Sequence, residues 1–525
     1  MSAATKHPYH PIIYVRGFAA TQGEIEDTVA DPYMGFNIGS TKARTAWTGD
    51  IKRYYFESPL VRLMAEHGYD DGFVDGEDLL ADAHDQRPIT YRSLIIYRYY
   101  DEASKVFGNG ETPPIEHFAK GLDQLILRLR DRICGNAKNA VAPADFRVYL
   151  VAHSMGGLVC RAFLQNPDLG SAAARALVDK VFTYATPHNG IDMRIVRNVP
   201  GWLSFGDVNN FNREKMAGYF KLPQSDDVSV VQHFPPERIF NLIGTDPRDY
   251  ATLGGLAAWG AGDASDGLVR IENATTHGLG ADGKEILSPR AFVHRSHSGH
   301  FGIVNSEEGY QNLTRFLFGQ LRVDGILDID DITLPPEVQK EMQSGKTVRA
   351  SYQFEVAASV RGCQWQITRR EVREHSAIFR SYGELFPGKD GAHRPPDRSQ
   401  SPHLFSVFLD PTKSVQRSGS VCFAFDIKVL VPDYEVDRVM FLKRHFEGGY
   451  ILRQLILVEA FPDSAALGGW RIKYGEQESN PGKPGKAAET RKLATDTGIC
   501  FDIPIEQKTR PGLKGGLRIE ARPWR

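Results

Sequence analysis

Residues Val148–Gly157 read VYLVAHSMGG. The run Val148 to Ala152 is apolar and rich in β-forming residues, the pattern of a buried strand. It breaks at His153-Ser154-Met155-Gly156-Gly157, and a helix is predicted over Met155 to Gln165. That helix must stop at Asn166-Pro167, because proline cannot continue it. A serine at a tight strand-to-helix turn has the layout of a nucleophile elbow, here A-H-S-x-G rather than G-x-S-x-G. The turn demands small neighbours, since strand and helix approach closely and the serine backbone is strained. Ala152 and Gly156 meet that demand. The competing reading is a plain helix N-cap serine; in an elbow the side chain points away from the helix end.

With these residues the chain resembles the α/β-hydrolase superfamily, and within it the lipase and esterase branch, over about residues 8 to 322. Such enzymes run serine, acid, histidine in chain order. Upstream, Pro11-Ile12-Ile13-Tyr14-Val15-Arg16-Gly17-Phe18 is similar to the family's oxyanion strand and turn, with Arg16 in place of the usual histidine. The resemblance implies that the N–H groups of Phe18 and Met155 hold the oxyanion. Downstream, Lys180 to Ala185 reads as the next strand and ends in Thr186-Pro187-His188-Asn189-Gly190, similar to the family's G-T-P-H-x-G strand end. The family makes His188 structural. Asp266, in Ala264-Ser265-Asp266-Gly267-Leu268-Val269, is the favoured acid, with Asp246 at the end of Asn241-Leu242-Ile243-Gly244-Thr245-Asp246 as the alternative.

For the base, the segment from His294 to His300 offers three histidines. His300 is preferred because it lies on a loop just ahead of a helix expected to start at an Asn305 N-cap with Glu308 three residues on; His297 is second. Zinc ligands spaced by three would need a helix, and Ser298-Gly299 argue for a loop, so no metal is expected. The resemblance therefore implies a Ser154, Asp266, His300 triad without cofactor. His153, Trp202 and Phe205 are the candidate substrate-binding side chains.

The chain has 525 residues, more than one ordinary core holds, so two or three domains are expected. With 41% hydrophobic and 24% charged residues it is globular. A net charge of −2 and no dense Lys/Arg stripe argue against a nucleic-acid partner. The five cysteines, Cys134, Cys160, Cys363, Cys422 and Cys500, form no C-x-x-C pair, which points to reduced thiols. No signal-peptide pattern and no run of about 18 apolar residues is evident, so a cytoplasmic location is expected, with export by a route that reads no cleaved signal left open.

The architecture expected is an α/β domain over 1–325 with a mostly parallel sheet, a linker over 326–346, and an antiparallel β-sandwich over 347–525. An insertion over about 19–90 carries a helix around Pro59 to His67 and an acidic stretch from Asp70 to Asp85, which lacks the residue order of a calcium loop. Ile115, Phe118, Leu122, Leu125, Ile126, Leu129 and Ile133 recur at helical spacing, the helix that leads into the elbow strand. Residues 191–236 lie where lipases place a lid, and Trp202, Phe205, Tyr219 and Phe220 supply apolar groups there. Beyond Thr347 the period is two, as in Val348 to Val356, Phe405 to Leu409 and Tyr450 to Ala460, with one possible helix at Glu371 to Phe379. No partner for this region is legible. The expected activity is acyl-ester hydrolysis of a lipid or phospholipid, with possible membrane-surface contact. The alternatives are a small-ester esterase and a non-catalytic lipid- or partner-binding protein that keeps the fold.

Overall fold

Strand β1 (Ile12–Val15) sits inside a seven-stranded sheet whose other members are β2 (Asp70–Asp71), β3 (Ser93–Ile96), β4 (Val148–His153), β5 (Val178–Tyr184), β6 (Ile239–Gly244) and β7 (Arg290–Val293). The spatial order is β7-β6-β5-β4-β1-β3-β2. Pairs β2–β3, β1–β3, β1–β4, β4–β5 and β5–β6 are all parallel. The computed structural model describes residues 9–524 apart from 18, 20–21, 38–40, 46–47, 56, 75–76, 79, 81–86, 192–210, 224–226, 248–263, 281–282, 299–301, 364, 389–394, 415–418, 438–442, 477–484 and 494–497.

Parallel neighbours require crossovers, and helices supply them. The longer helices among the described residues of this part are α1 (Gln22–Ala30), α2 (Pro59–His67), α3 (Ile115–Cys134), α4 (Met155–Gln165), α5 (Arg213–Phe220) and α6 (Glu307–Phe318). Helix α3 joins β3 to β4, and the seven apolar residues of its predicted stripe are all buried. Helix α2 begins where Ser58 Oγ accepts the Val61 N–H and ends at Gly68 in the left-handed region, φ 63°. Helix α6 is capped by Ser306, whose Oγ accepts the Gly309 N–H at 2.9 Å, not by Asn305. Glu308, expected in a capping role, pairs instead with Arg295 at 2.9 Å. No helix among the described residues is long and apolar enough to cross a membrane.

The chain divides into two compact units, one of residues 1–290 and 294–318, the other of 319–525 with 291–293. The second unit holds an antiparallel five-stranded and an antiparallel seven-stranded sheet. Its strands are β8 (Leu321–Thr333), β9 (Val348–Val360), β10 (Gln366–Arg370), β11 (Ile378–Ser381), β12 (His403–Leu409), β13 (Val421–Asp437), β14 (Lys443–Pro462), β15 (Trp470–Glu476), β16 (Lys486–Ala487), β17 (Arg491–Lys492), β18 (Ile499–Gln507) and β19 (Gly512–Pro523). One sheet runs β12-β8-β19-β18-β17; the other runs β10-β9-β13-β14-β15-β16, with β11 also on β9. Inward residues of both, such as Leu327, Phe354, Phe425, Ile456 and Leu517, form one core, where Phe405 and Phe425 stack at 4.1 Å. This is the expected sandwich.

Two expectations for this unit are corrected. The stretch 326–346 is not a linker: β8 runs through Thr333, and Pro336–Gln343 is a helix, α7, with Pro336 in its first turn. The acidic residues that suggested a linker alternate with Val323, Leu327 and Ile329, which are buried, and Asp324 accepts the Ser406 hydroxyl and pairs with Arg322. Glu371 to Phe379 holds only the short 3-10 turn Val372–Glu374 before β11.

Burial in the first unit keeps several histidines neutral, His10 and His188 among them. The pKa of His10 is pushed down from 6.5 to about 3, chiefly by burial and then by Lys180, Arg147 and Arg238. Burial, with Arg161 nearby, also pushes His188 well below its ordinary value. The unfolded chain binds these protons below pH 6.5 and the folded chain does not, so stability is full above that pH and is lost as pH falls toward 3. Thermal unfolding should therefore drop between pH 7 and pH 5, at up to about 1.4 kcal/mol per pH unit for each histidine. A melting temperature flat across that range would contradict this.

Candidate active site

The end of β4 and the start of α4 form the sharp turn expected around Ser154. Ser154 has φ 52° and ψ −126°, a conformation that costs a non-glycine residue about 1–3 kcal/mol. The turn is held by the Ser154 N–H on Tyr184 O at 2.9 Å and the Gly157 N–H on Ser154 O at 3.1 Å. Ser154 stands at the N-cap position, yet its side chain makes no capping bond. The hydroxyl is turned elsewhere.

Close approach explains the small residues. A Cβ on Gly156 would lie 2.3 Å from Val15 O and 2.4 Å from Arg16 O, and one on Gly17 would lie 2.7 Å from Ser154 Cβ. The turn after β1 thus presses directly on the elbow. Gly156→Ala should destabilise the protein by about 2 kcal/mol or more, because backbone rather than a flexible side chain must yield. A thermal melt equal to wild type would refute that packing argument.

Ser154 Oγ–H donates to His297 Nε2 at 3.0 Å, and His297 Nδ1–H donates to Asp266 Oδ2 at 2.9 Å. All three residues are buried. Asp266 is doubly anchored: Oδ1 accepts the N–H groups of Leu268 at 3.0 Å and Val269 at 2.8 Å, while its carbonyl accepts the His297 N–H at 2.9 Å. Gly267, at φ 99°, permits the turn that folds those amides back onto the carboxylate. The alternative acid, Asp246, faces His294 Nε2 at 3.5 Å.

The expectation of His300 as the histidine beside Ser154 is corrected: His297 occupies that place, and His300 lies outside the described residues. The loop after β7 doubles back, with the Ile303 N–H on Ser296 O at 2.9 Å. The residue delivered to the elbow is therefore at the start of the loop. His294 and His297 face different carboxylates, which separates two of the three histidines whose spacing suggested a metal.

His153 Nε2–H donates to His297 O at 3.0 Å, so this candidate substrate contact also steadies the loop that carries His297. Burial, then His297 and Arg16, holds the pKa of His153 well below the usual value. His188 is fully buried beside Thr183 Oγ1 at 3.1 Å, away from Ser154's hydrogen bonds. Met155 is buried at the first position of α4, where backbone N–H groups lack partners within the helix. Phe18, Trp202 and Phe205 lie outside the described residues. Tyr219 and Phe220, apolar groups of the lid-like stretch, are buried, and Arg161 of α4 lies 4.1 Å over the Phe220 ring. Arg161 also donates to the carbonyls of His188, Val228 and Val230. No sequence signal marked this buried arginine. All five cysteines are free thiols, and burial pushes the Cys160 thiol up, away from reactivity.

The parallel sheet, the elbow after its fourth strand and the helices around it give the first unit an α/β-hydrolase fold. Residues 120–233 match the family described as PGAP1-like alpha/beta domain. No curated protein matches the chain. Among solved structures, the mature form of the Bacillus licheniformis lipase BlEst2 is 15% identical, covering 59% of this chain and 91% of that one, with a TM-score of 0.28. Its propeptide form is 11% identical, covering 84% and 96%, with a TM-score of 0.28. A cutinase-like protein from Cryptococcus sp. is 14% identical, covering 60% and 98%, with a TM-score of 0.23.

Proposed function

We propose that this chain is a serine carboxylic-ester hydrolase that works through an acyl-enzyme. The observation that carries the reading is the unbroken relay from Ser154 Oγ through His297 to Asp266 at 3.0 and 2.9 Å. With Nδ1 donating to the carboxylate, Nε2 is left as an acceptor facing the serine hydroxyl. His297 then takes the Ser154 proton as Oγ attacks the ester carbonyl, and returns it to the departing alcohol. Asp266 stabilises the imidazolium formed in between. The N–H groups of Met155 and Phe18 would receive the oxyanion, each worth about 3 kcal/mol in a dry site. Water deacylates the enzyme by the same route in reverse.

The substrate class favoured is an acyl ester of a lipid or phospholipid, which the sequence resemblance to lipases supports. The test is hydrolysis of p-nitrophenyl esters from short to long chain, wild type beside Ser154→Ala, with fluorophosphonate labelling of both. A Ser154-dependent rate that rises with chain length and at a lipid interface supports the lipase reading. Ser154-dependent activity confined to short esters makes it a small-ester esterase. No labelling of folded protein would sink catalysis and favour a binding role.

A further inference from the structure

The turn that follows β1 is gripped on one side by the elbow and on the other by two phenols. Tyr99 Oη–H donates to Arg16 O at 2.6 Å and lies 3.2 Å from Gly17 O. Tyr100 Oη accepts the Ala19 N–H at 2.8 Å. Both tyrosines belong to the short 3-10 turn Tyr99–Asp101, a few residues past β3, and both are buried. Their rings pack at 4.5 Å from each other, and the Tyr99 ring lies 4.5 Å from Phe118 of α3. Phenylalanine would serve that packing equally well. The hydroxyls answer a different need: one donates to carbonyls just before residue 18, the other accepts the amide just after it. The Arg16 guanidinium adds a bond to Met34 O.

We infer that Tyr99 and Tyr100 are positioning residues that fix the backbone on either side of residue 18, and so hold the turn assigned the oxyanion donor against the Ser154 elbow. The inference rests on the serine-hydrolase reading. An N–H donor stabilises a developing alkoxide only if it already points there, since the gain comes from not having to reorganise during the reaction. A Cβ on Gly17 would lie 2.7 Å from Ser154 Cβ, so a shift of this turn acts directly beside the nucleophile. Neither hydroxyl is placed to touch the reacting atoms; both act through the turn.

The test compares wild type, Tyr99→Phe, Tyr100→Phe, the double variant and Ser154→Ala on a p-nitrophenyl ester and on its thionoester. Sulfur is a poor hydrogen-bond acceptor, so the rate ratio of ester to thionoester reads the oxyanion contact, which loss of packing elsewhere would not change. The expected result is a fall in kcat on the ester of about tenfold to a hundredfold for each variant, with KM within about threefold. The ester-to-thionoester ratio should fall about tenfold, with melting curves still cooperative. If Tyr99→Phe does not fold, Tyr100→Phe carries the same test from the other side of residue 18. Ser154-dependent activity with an unchanged ratio in folded variants would overturn this inference alone. Activity equal in wild type and Ser154→Ala would overturn the hydrolase reading and this inference with it.

Discussion

His297→Ala is expected to reduce kcat on an activated ester by about 10⁴-fold to 10⁶-fold, as Ser154→Ala does, while His300→Ala stays within about threefold of wild type. The argument is one of atoms. His297 Nε2 is the acceptor at the Ser154 hydroxyl, 3.0 Å away, and nothing else is bonded to that hydroxyl among the described residues. Alanine would remove the group that accepts the proton and leave Ser154 an ordinary alcohol, a poor nucleophile at neutral pH. It would also leave Asp266 buried without its imidazole partner, so the melting temperature should be recorded beside the rate. Fluorophosphonate labelling separates the effects: folded His297→Ala should label very slowly, folded His300→Ala at the wild-type rate. A slow His300→Ala beside a normal His297→Ala would return the base to the position that the sequence alone favours.

Some of this site is legible in the sequence alone because its determinants are local. The elbow is written within ten residues: apolar strand, strained serine, and glycines where backbone presses on backbone. Asp266 was legible for a similar reason, since Gly267 and the amides of Leu268 and Val269 that hold its carboxylate are its immediate neighbours. The histidine was not. His297 lies 143 residues from Ser154, and the choice among three closely spaced histidines depends on how the loop closes from Ser296 to Ile303. Helix α3 and the sandwich strands announced themselves by period, because one face of each is buried. The strand β8 was concealed because its acidic residues find partners in the fold: Asp324 pairs with Arg322 and accepts the Ser406 hydroxyl, and Asp328 pairs with Arg518. Tyr99 and Tyr100 carry no motif; only the fold shows that their hydroxyls converge on one turn.

Asp266→Asn should cost about 10⁴-fold in kcat with little change in KM, whereas Asp246→Asn should leave the rate within a few-fold of wild type. The structure dictates which way the new amide would point. At position 266 the Oδ1 site accepts two backbone N–H groups, from Leu268 and Val269, so an asparagine would keep its carbonyl oxygen there. Its NH₂ would then occupy the Oδ2 site facing His297 Nδ1. A donor there forces the imidazole into the tautomer with the proton on Nε2, so that the nitrogen facing Ser154 can no longer accept the hydroxyl proton. The fold should survive, because the carbonyl of residue 266 still accepts the His297 N–H. Asp246 faces His294 at 3.5 Å, not His297, so an amide there leaves the His297 tautomer alone. Steady-state kinetics on one ester decides between them. A large loss at Asp246 with none at Asp266 would move the acid to the end of β6 and require a different orientation of His297.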